Sequence, residues 1–345
     1  MNLLEAIEDL GLKDSVPGLI QSAQRSDDLI SRMRDKLANS GVGGEIDVFA
    51  FGSLARREYT AASDVDYLVI VDSMPEDMAA PRTLVERVQE LIEEETKQKG
   101  SAESKKPGTS GLFGRATGIF DIVHQVGLQD DTNHTHTVRM EILQESVSLL
   151  NPELHQKILG RTIHRYLDVF DTPRPDRPPR FLLNDMLRYW RQITIDYQAK
   201  APARVQQPKA VLRHLKLLTT RKNFFASSVL PLIAPRDDQV PWSDYLNDIY
   251  AMPPLARLAA VTRSAPEQVR AAVREVFSAI DLFVQRTDDK EKRNRLEGMD
   301  WESRHDDEHY TELREAAEKL QTAYQSIFMC DWNDIRDKTV RYMLF

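Results

Sequence analysis

The stretch FGSLARREYTAASDVDYLVIVD, Phe51–Asp72, decides how the whole chain is read. It sets a Gly-Ser pair behind an apolar run, follows with two arginines, and then carries two aspartates into a second apolar run. VDYLVIVD is too continuously apolar for a strand with one wet face, so it is expected near the centre of a sheet. EIDVFAFGS, just upstream, has the β-branched and aromatic content of a second strand. Asp64 and Asp66 stand two residues apart, so an extended backbone turns both carboxylates to the same side. Two carboxylates held together resist ionising together unless a cation lies between them. A small all-oxygen donor set, with positions left over for water and phosphate, suits Mg²⁺ better than zinc.

The upstream half of the stretch supplies anion donors. Gly52 permits close backbone approach to a phosphate, and Ser53 at a helix start offers both hydroxyl and amide to one anion. Arg56 and Arg57 on the next turn carry guanidinium groups suited to phosphate oxygens. Metal across a reacting phosphate, donors on the leaving group and a positioned hydroxyl are the requirements of phosphoryl transfer. Each part alone is weak; the order of strand, Gly-Ser, short helix and Asp-x-Asp entering an apolar strand is specific.

FGSLARREYTAASDVDYLVIV thereby resembles the signature of the DNA-polymerase-β-like nucleotidyltransferase superfamily, with ten residues between Ser53 and Asp64. The resemblance is firm over about residues 45–72 and loose up to 125. It implies an α/β catalytic domain with a mixed sheet carrying helices on one side, an α-helical domain behind it, and two Mg²⁺ ions at the carboxylates, with Mn²⁺ as a substitute. Carried onto this chain, Gly52 and Ser53 hold the triphosphate of an NTP, and Asp64 and Asp66 hold metal. Family members usually add a third carboxylate from a later strand. Asp121 in GIFDIVHQV is the choice here, provided that its apolar neighbours form a short strand; if they are helical, it is a surface carboxylate. Asp130 and Asp131 are rivals, although an Asp ahead of a helix is ordinarily a cap. His134 and His136 diverge on a helix start and make a poor metal pair.

Outward from this unit, the chain reads as two domains. At 345 residues it is long enough for a sizeable core. No run of about 18 apolar residues exists and the first residues lack a basic region, so neither a membrane span nor export is expected. A single cysteine, Cys330, rules out an internal disulfide and a cysteine zinc cage within one chain, which fits a reducing cytoplasm. Val16–Asn39 and Pro81–Gln98 have helical spacing. Lys99–Gly118 is rich in glycine, serine and lysine and reads as a long functional or mobile loop bearing Lys105, Lys106 and Arg115. Helical spacing returns over Thr132–Leu150. Four prolines in Asp171–Arg180 mark a stiff linker, which sets a catalytic domain over 1–170, N-terminal helix included, and a helical domain over 181–345.

The net charge of −8 argues against general coating of DNA, but twelve Lys or Arg against three acids lie between Arg174 and Phe224. Such a local excess favours an anionic ligand, a triphosphate or an RNA segment, over a merely solvated helix face. In PKAVLRHLKLLTTRK, Pro208 suits a first helical turn, and Lys209, Arg213 and Lys216 at i, i+4 and i+7 make one cationic stripe, expected to grip the triphosphate. The reading is therefore a Mg²⁺-dependent transfer of a nucleotide from an NTP to an acceptor hydroxyl, most simply an RNA such as a tRNA 3′ end, with no membrane partner. An oligoadenylate-synthase-like producer of a nucleotide signal and a non-catalytic nucleotide sensor are the alternatives.

Overall fold

Ile46–Ala50 (β1) and Tyr67–Val71 (β2) are buried at every position, apolar throughout but for Asp47, and they pair antiparallel from Ile46 opposite Val71 to Ala50 opposite Tyr67. The computed structural model describes residues 1–38, 44–72, 79–97, 113–168, 177–199 and 209–344. Two helices precede this pair, α1 (Leu3–Asp9) and α2 (Pro17–Leu37). The short α3 (Gly52–Ala55) lies between the strands, and α4 (Ala79–Lys97) follows them. Arg115–Gly118 (β3) then joins the other edge of β2 in parallel register, Leu68 beside Arg115 and Val71 beside Gly118. Three helices come next, α5 (Ile119–His124), α6 (Asn133–Glu145) and α7 (Pro152–Asp168). The two-residue β4 (Val147–Ser148) between α6 and α7 completes a mixed sheet of order β3-β2-β1-β4.

Both faces of this sheet are apolar, and helices cover both. Val48, Ala50, Tyr67, Val69 and Val71 pack with Leu29, Ile30 and Met33 of α2 and Leu84, Val88 and Leu91 of α4. Phe49, Phe51, Leu68 and Ile70 pack with Ile119 and Ile122 of α5, Val138 and Ile142 of α6, and Leu154 and Ile158 of α7. The expectation of helices on one side is corrected by this alternation, since a strand apolar on both faces must be covered on both.

Two buried charged groups organise the second layer. Arg139 of α6, wholly buried, makes paired bonds to Asp131 at 3.0 and 2.8 Å and donates to the Tyr166 hydroxyl and the Ile122 carbonyl. Oδ1 of Asp47 on β1 accepts from the Ser148 hydroxyl and from the amides of Val48, Leu150 and Asn151, fastening β1 to the start of α7.

The chain divides into two compact units, Ala23–Phe170 and Met1–Ser22 with Asp171–Phe345. The division falls inside α2, between Ser22 and Ala23. Its physical cause is a long-range cap: the Leu19 amide donates to Asp281 at 2.7 Å, and Gly18 lies so close to Gln285 that a Cβ there would stand 2.5 Å from its Cγ. Most of the proline-rich stretch lies outside the described residues, as do Lys105, Lys106 and Pro208.

The second unit is largely helical after residue 177, with α8 (Arg180–Ala199), α9 (Ala210–Leu218), α10 (Thr220–Ile233), α11 (Trp242–Tyr250) and α12 (Pro254–Val261). These are followed by α13 (Glu267–Asp288), α14 (Lys290–Gly298), α15 (Glu308–Phe328), α16 (Ile335–Thr339) and a closing π turn over Val340–Leu344. Among the described residues no helix is long and apolar enough to cross a membrane.

His155 of α7 is buried edge-on against Phe49 at 4.6 Å and bonds the Ser146 hydroxyl at 2.8 Å. Burial, helped by the Arg34 charge, drops its pKa to about 4. The unfolded chain therefore takes up this proton first, and the contribution of neutral His155 to stability, complete above about pH 6.5, is lost as pH falls toward 4. Asp47 runs the opposite way, because burial raises it to about 6 against the amides of Asn151 and its neighbours, so its contribution fades as pH rises through 6. His155→Phe should therefore lose roughly 2 kcal/mol less stability than the parent between pH 8 and pH 5, read from denaturant midpoints at a common slope.

Candidate active site

The site begins with a continuation of the β1–β2 ladder beyond its last regular pair. The Phe51 amide donates to the Asp66 carbonyl at 2.9 Å, which sets Asp66 opposite Phe51 and beside Gly52. Gly52 has φ +65°, and a Cβ built there would stand 3.4 Å from Oδ2 of Asp66. The backbone of the Gly-Ser turn thus faces the second carboxylate of the Asp-x-Asp pair with no side chain between them. Val65 is buried in the α2–α4 layer, whereas Asp64 is exposed and Asp66 half-buried. The alternation expected from the sequence is realised just ahead of β2 rather than within it.

Local bonds hold this turn. Thr60 and Ser63 exchange hydroxyl and backbone bonds of 2.9–3.1 Å, which fixes the chain just before Asp64. Glu58 donates its amide to the Ser53 carbonyl at 2.8 Å, closing α3 after four residues. Tyr59 is buried, and its phenol is pushed up to about 12 by that burial and by the Asp64 charge, so it keeps its proton at working pH. Among the described residues Asp64 makes no ion pair.

The two arginines serve the turn itself. Arg56 pairs with Glu58 at 2.8 Å and with Glu145 at the end of α6. Burial alone would lower its pKa, but the two carboxylates raise it well above the ordinary value. Arg57, in the left-handed region at φ +64°, caps α3 through the carbonyls of Ala55 and Leu54 and pairs with Asp27 at 2.6 Å. The donors expected to meet phosphate are thus occupied by protein oxygens.

Asp121 falls on α5, and the strand expected to carry it ends three residues earlier at Gly118. Gly118 pairs with Val71, at the end of β2 away from Asp66, and the Asp121 side chain lies outside the described residues. Among the described residues no three His, Cys, Asp or Glu side chains are grouped to hold a metal. Asp131 is committed to Arg139, Thr135 and the Gly127 amide. His134 is exposed and His136 buried, diverging as their spacing required.

One loop cation named from the sequence belongs to the sheet instead. Arg115, read as part of a loop, is the first residue of β3 and sits beside Leu68, on the face of β2 that Asp66 shares. Its guanidinium stands against the His134 ring at 3.1 Å from Nδ1, and burial together with that charge lowers the His134 pKa. The cationic stripe lies in the other unit. Lys209 precedes α9 at φ +71°, outside the helix, and pairs with Glu297 at 3.3 Å; Arg213 and Lys216 follow on α9.

Residues 30–108 match the model of the family described as "Nucleotidyltransferase domain", a span that contains β1, α3 and β2. The segment is a nucleotidyltransferase domain of the DNA-polymerase-β-like superfamily, and NTP-dependent nucleotidyl transfer is what that family implies. No curated protein matches the chain.

Two substitutions probe this geometry. Removing Arg56 leaves Glu58 and Glu145, with side-chain exposures of 2 and 11%, facing each other without their cation. Arg56→Met should cost about 3–5 kcal/mol in denaturant unfolding, where a phosphate-binding arginine would change NTP affinity and leave stability alone. Gly52→Ala should cost roughly 1–2 kcal/mol through its positive φ, measured the same way.

Proposed function

We propose that the chain moves a nucleoside monophosphate from an NTP to an acceptor hydroxyl, releasing pyrophosphate, with Asp64 and Asp66 as ligands for Mg²⁺. The observation that carries this reading is the open backbone of Gly52 beside the Asp66 carboxylate. A bare backbone beside the Asp66 carboxylate fits a cation that keeps most of its positions for water and substrate phosphate. Such an ion, when bound, supplies neutralisation of phosphate charge and polarisation at the α-phosphorus.

The chain's own groups do the rest. Gly52 and Ser53 receive the triphosphate, the glycine by leaving its backbone bare and the serine through hydroxyl and amide. Arg115 is the cation that the register brings to the same sheet face, and it joins them as a phosphate contact. Arg56 is not assigned to phosphate. The acceptor oxygen forms a bond to the α-phosphorus while the bond to the bridging oxygen of the β-phosphate breaks. The hydroxyl proton leaves to solvent; Asp121, proposed for it on the sequence pattern, falls on α5 instead of the strand that role required and is not assigned. Lys209, Arg213 and Lys216 are assigned to the triphosphate on the sequence pattern alone. The acceptor is assigned as an RNA 3′ end, from the basic excess between Arg174 and Phe224.

Incubation with Mg²⁺ and each α-labelled NTP, with and without total tRNA, tests the assignment. Label should move onto RNA, and Asp66→Ala should reduce transfer by about 10³-fold, with Asp121→Asn leaving it far closer to the parent. Label in a small soluble product without RNA would overturn the acceptor and identify a signal synthase. NTP binding without any transfer would leave a nucleotide-binding module.

A further inference from the structure

Arg115 and His134 come from different elements and meet on the face of the sheet that Asp66 shares. Ala116 packs in the α2–α4 layer, so alternation along β3 turns Arg115 the other way, into the layer of Leu68 and α6. Val65 also packs in the α2–α4 layer, so Asp66 faces the same way as Arg115. Each partner is held by its own frame. The Gly114 amide donates to the Tyr67 carbonyl at 2.8 Å, which fixes the entry to β3 next to the residue that follows Asp66. His134 lies on the first turn of α6, where the Thr132 hydroxyl accepts from the Thr135 amide at 3.2 Å. Asp131 reinforces that turn by accepting from the Thr135 hydroxyl at 3.0 Å, and Arg139 from further along α6 grips Asp131 with paired bonds. One amino group of Arg115 stands 3.1 Å from Nδ1 of His134 and against its Nε2. A guanidinium can only donate, so the imidazole accepts through an unprotonated nitrogen. Burial and the Arg115 charge both lower the His134 pKa, which keeps that lone pair available at neutral pH. A neutral ring orients a guanidinium without cancelling its charge, unlike the carboxylates that hold Arg56 and Arg57.

We infer that His134 is a positioning residue whose ring holds the Arg115 guanidinium in place for the triphosphate. The role rests on the transfer reading, in which Arg115 contacts phosphate from this sheet face. An arginine side chain has many rotamers, and fixing it in advance removes an ordering cost that ligand binding would otherwise carry. A guanidinium has five N–H donors, so one amino group on the ring leaves others to match phosphate oxygens. The Asp131–Arg139 pair gains a purpose by the same account, since it stiffens the turn that presents His134.

The test is calorimetric titration of the full chain with each NTP in Mg²⁺, carried on with the one that binds tightest, beside NMR titration of the histidine rings. Arg115→Gln should weaken NTP binding about tenfold and His134→Ala about fivefold. The double variant should lose no more than Arg115→Gln alone, because one residue acts through the other. His134→Gln, whose carboxamide oxygen accepts the same kind of bond, should recover most of the affinity, which separates positioning from folding. The His134 resonance, assigned by its loss in His134→Gln, should titrate at higher pH in Arg115→Gln, since the neighbouring charge that lowers it is gone. Additive losses in the double variant would make His134 a direct ligand contact and overturn the inference, as would unchanged affinity in His134→Ala. A His134 titration that Arg115→Gln leaves in place would overturn it by denying the contact itself. If the parent binds no NTP while the His134 titration does shift, the contact stands but the transfer reading fails, and the role of His134 fails with it.

Discussion

The bond from the Phe51 amide to the Asp66 carbonyl is the constraint on which the rest of the site depends. It carries the antiparallel ladder one residue past the regular strands and fixes which residues of the two runs stand opposite. Because side chains alternate along a strand, a slip of one position would turn Asp66 into the α2–α4 core and bring Val65 out. Core packing therefore guards the chemistry: Val65 and Tyr67 fill one layer, Phe51 and Leu68 fill the other, and the carboxylates are left where neither layer has room for them. The positive φ of Gly52 then bends the chain off the end of β1 without placing a side chain against Asp66.

Around that point the protein closes its other charges on itself. Arg56 binds Glu58 and Glu145, Arg57 binds Asp27, and Arg139 binds Asp131. These pairs tie the glycine turn to α2 and α6, and the loop before α6 to its middle. Breaking such a pair strands a buried charge, so each acts to hold geometry more than to add net stability. An arginine beside a phosphate motif is thus ambiguous by sequence: the same side chain that matches phosphate also matches two buried carboxylates, and here the carboxylates are covalently fixed nearby.

What was legible in the sequence follows from range. The strands around Gly52 and Asp66 and the helices α2 and α4 carry their own periodicity, so local patterns suffice for them. RATG and the two residues of β4 have no such pattern, because an edge strand takes its identity from the neighbour it pairs with. That is why Arg115 was read as part of a loop, and why Asp121 was placed on a strand that stops at Gly118. The docking of the first 22 residues with the helical unit depends on Asp281, 262 positions from Leu19, a distance that no window of sequence reports.

Charge shows the same limit more sharply. The excess of twelve cations over three acids between Arg174 and Phe224 invites one broad basic face. Folding spends that excess unevenly. Arg188 leans toward Asp185 at 3.6 Å and Lys209 toward Glu297 at 3.3 Å. Lys222 is half-buried, and burial with the nearby Arg314 charge lowers its pKa, so it too is drawn into the fold. Arg177 and Arg180 come together with a third guanidinium, from residue 341, around one pocket. An anion responds to convergence and not to count, so a run of positive residues says little until the chain has shown which of them end up together.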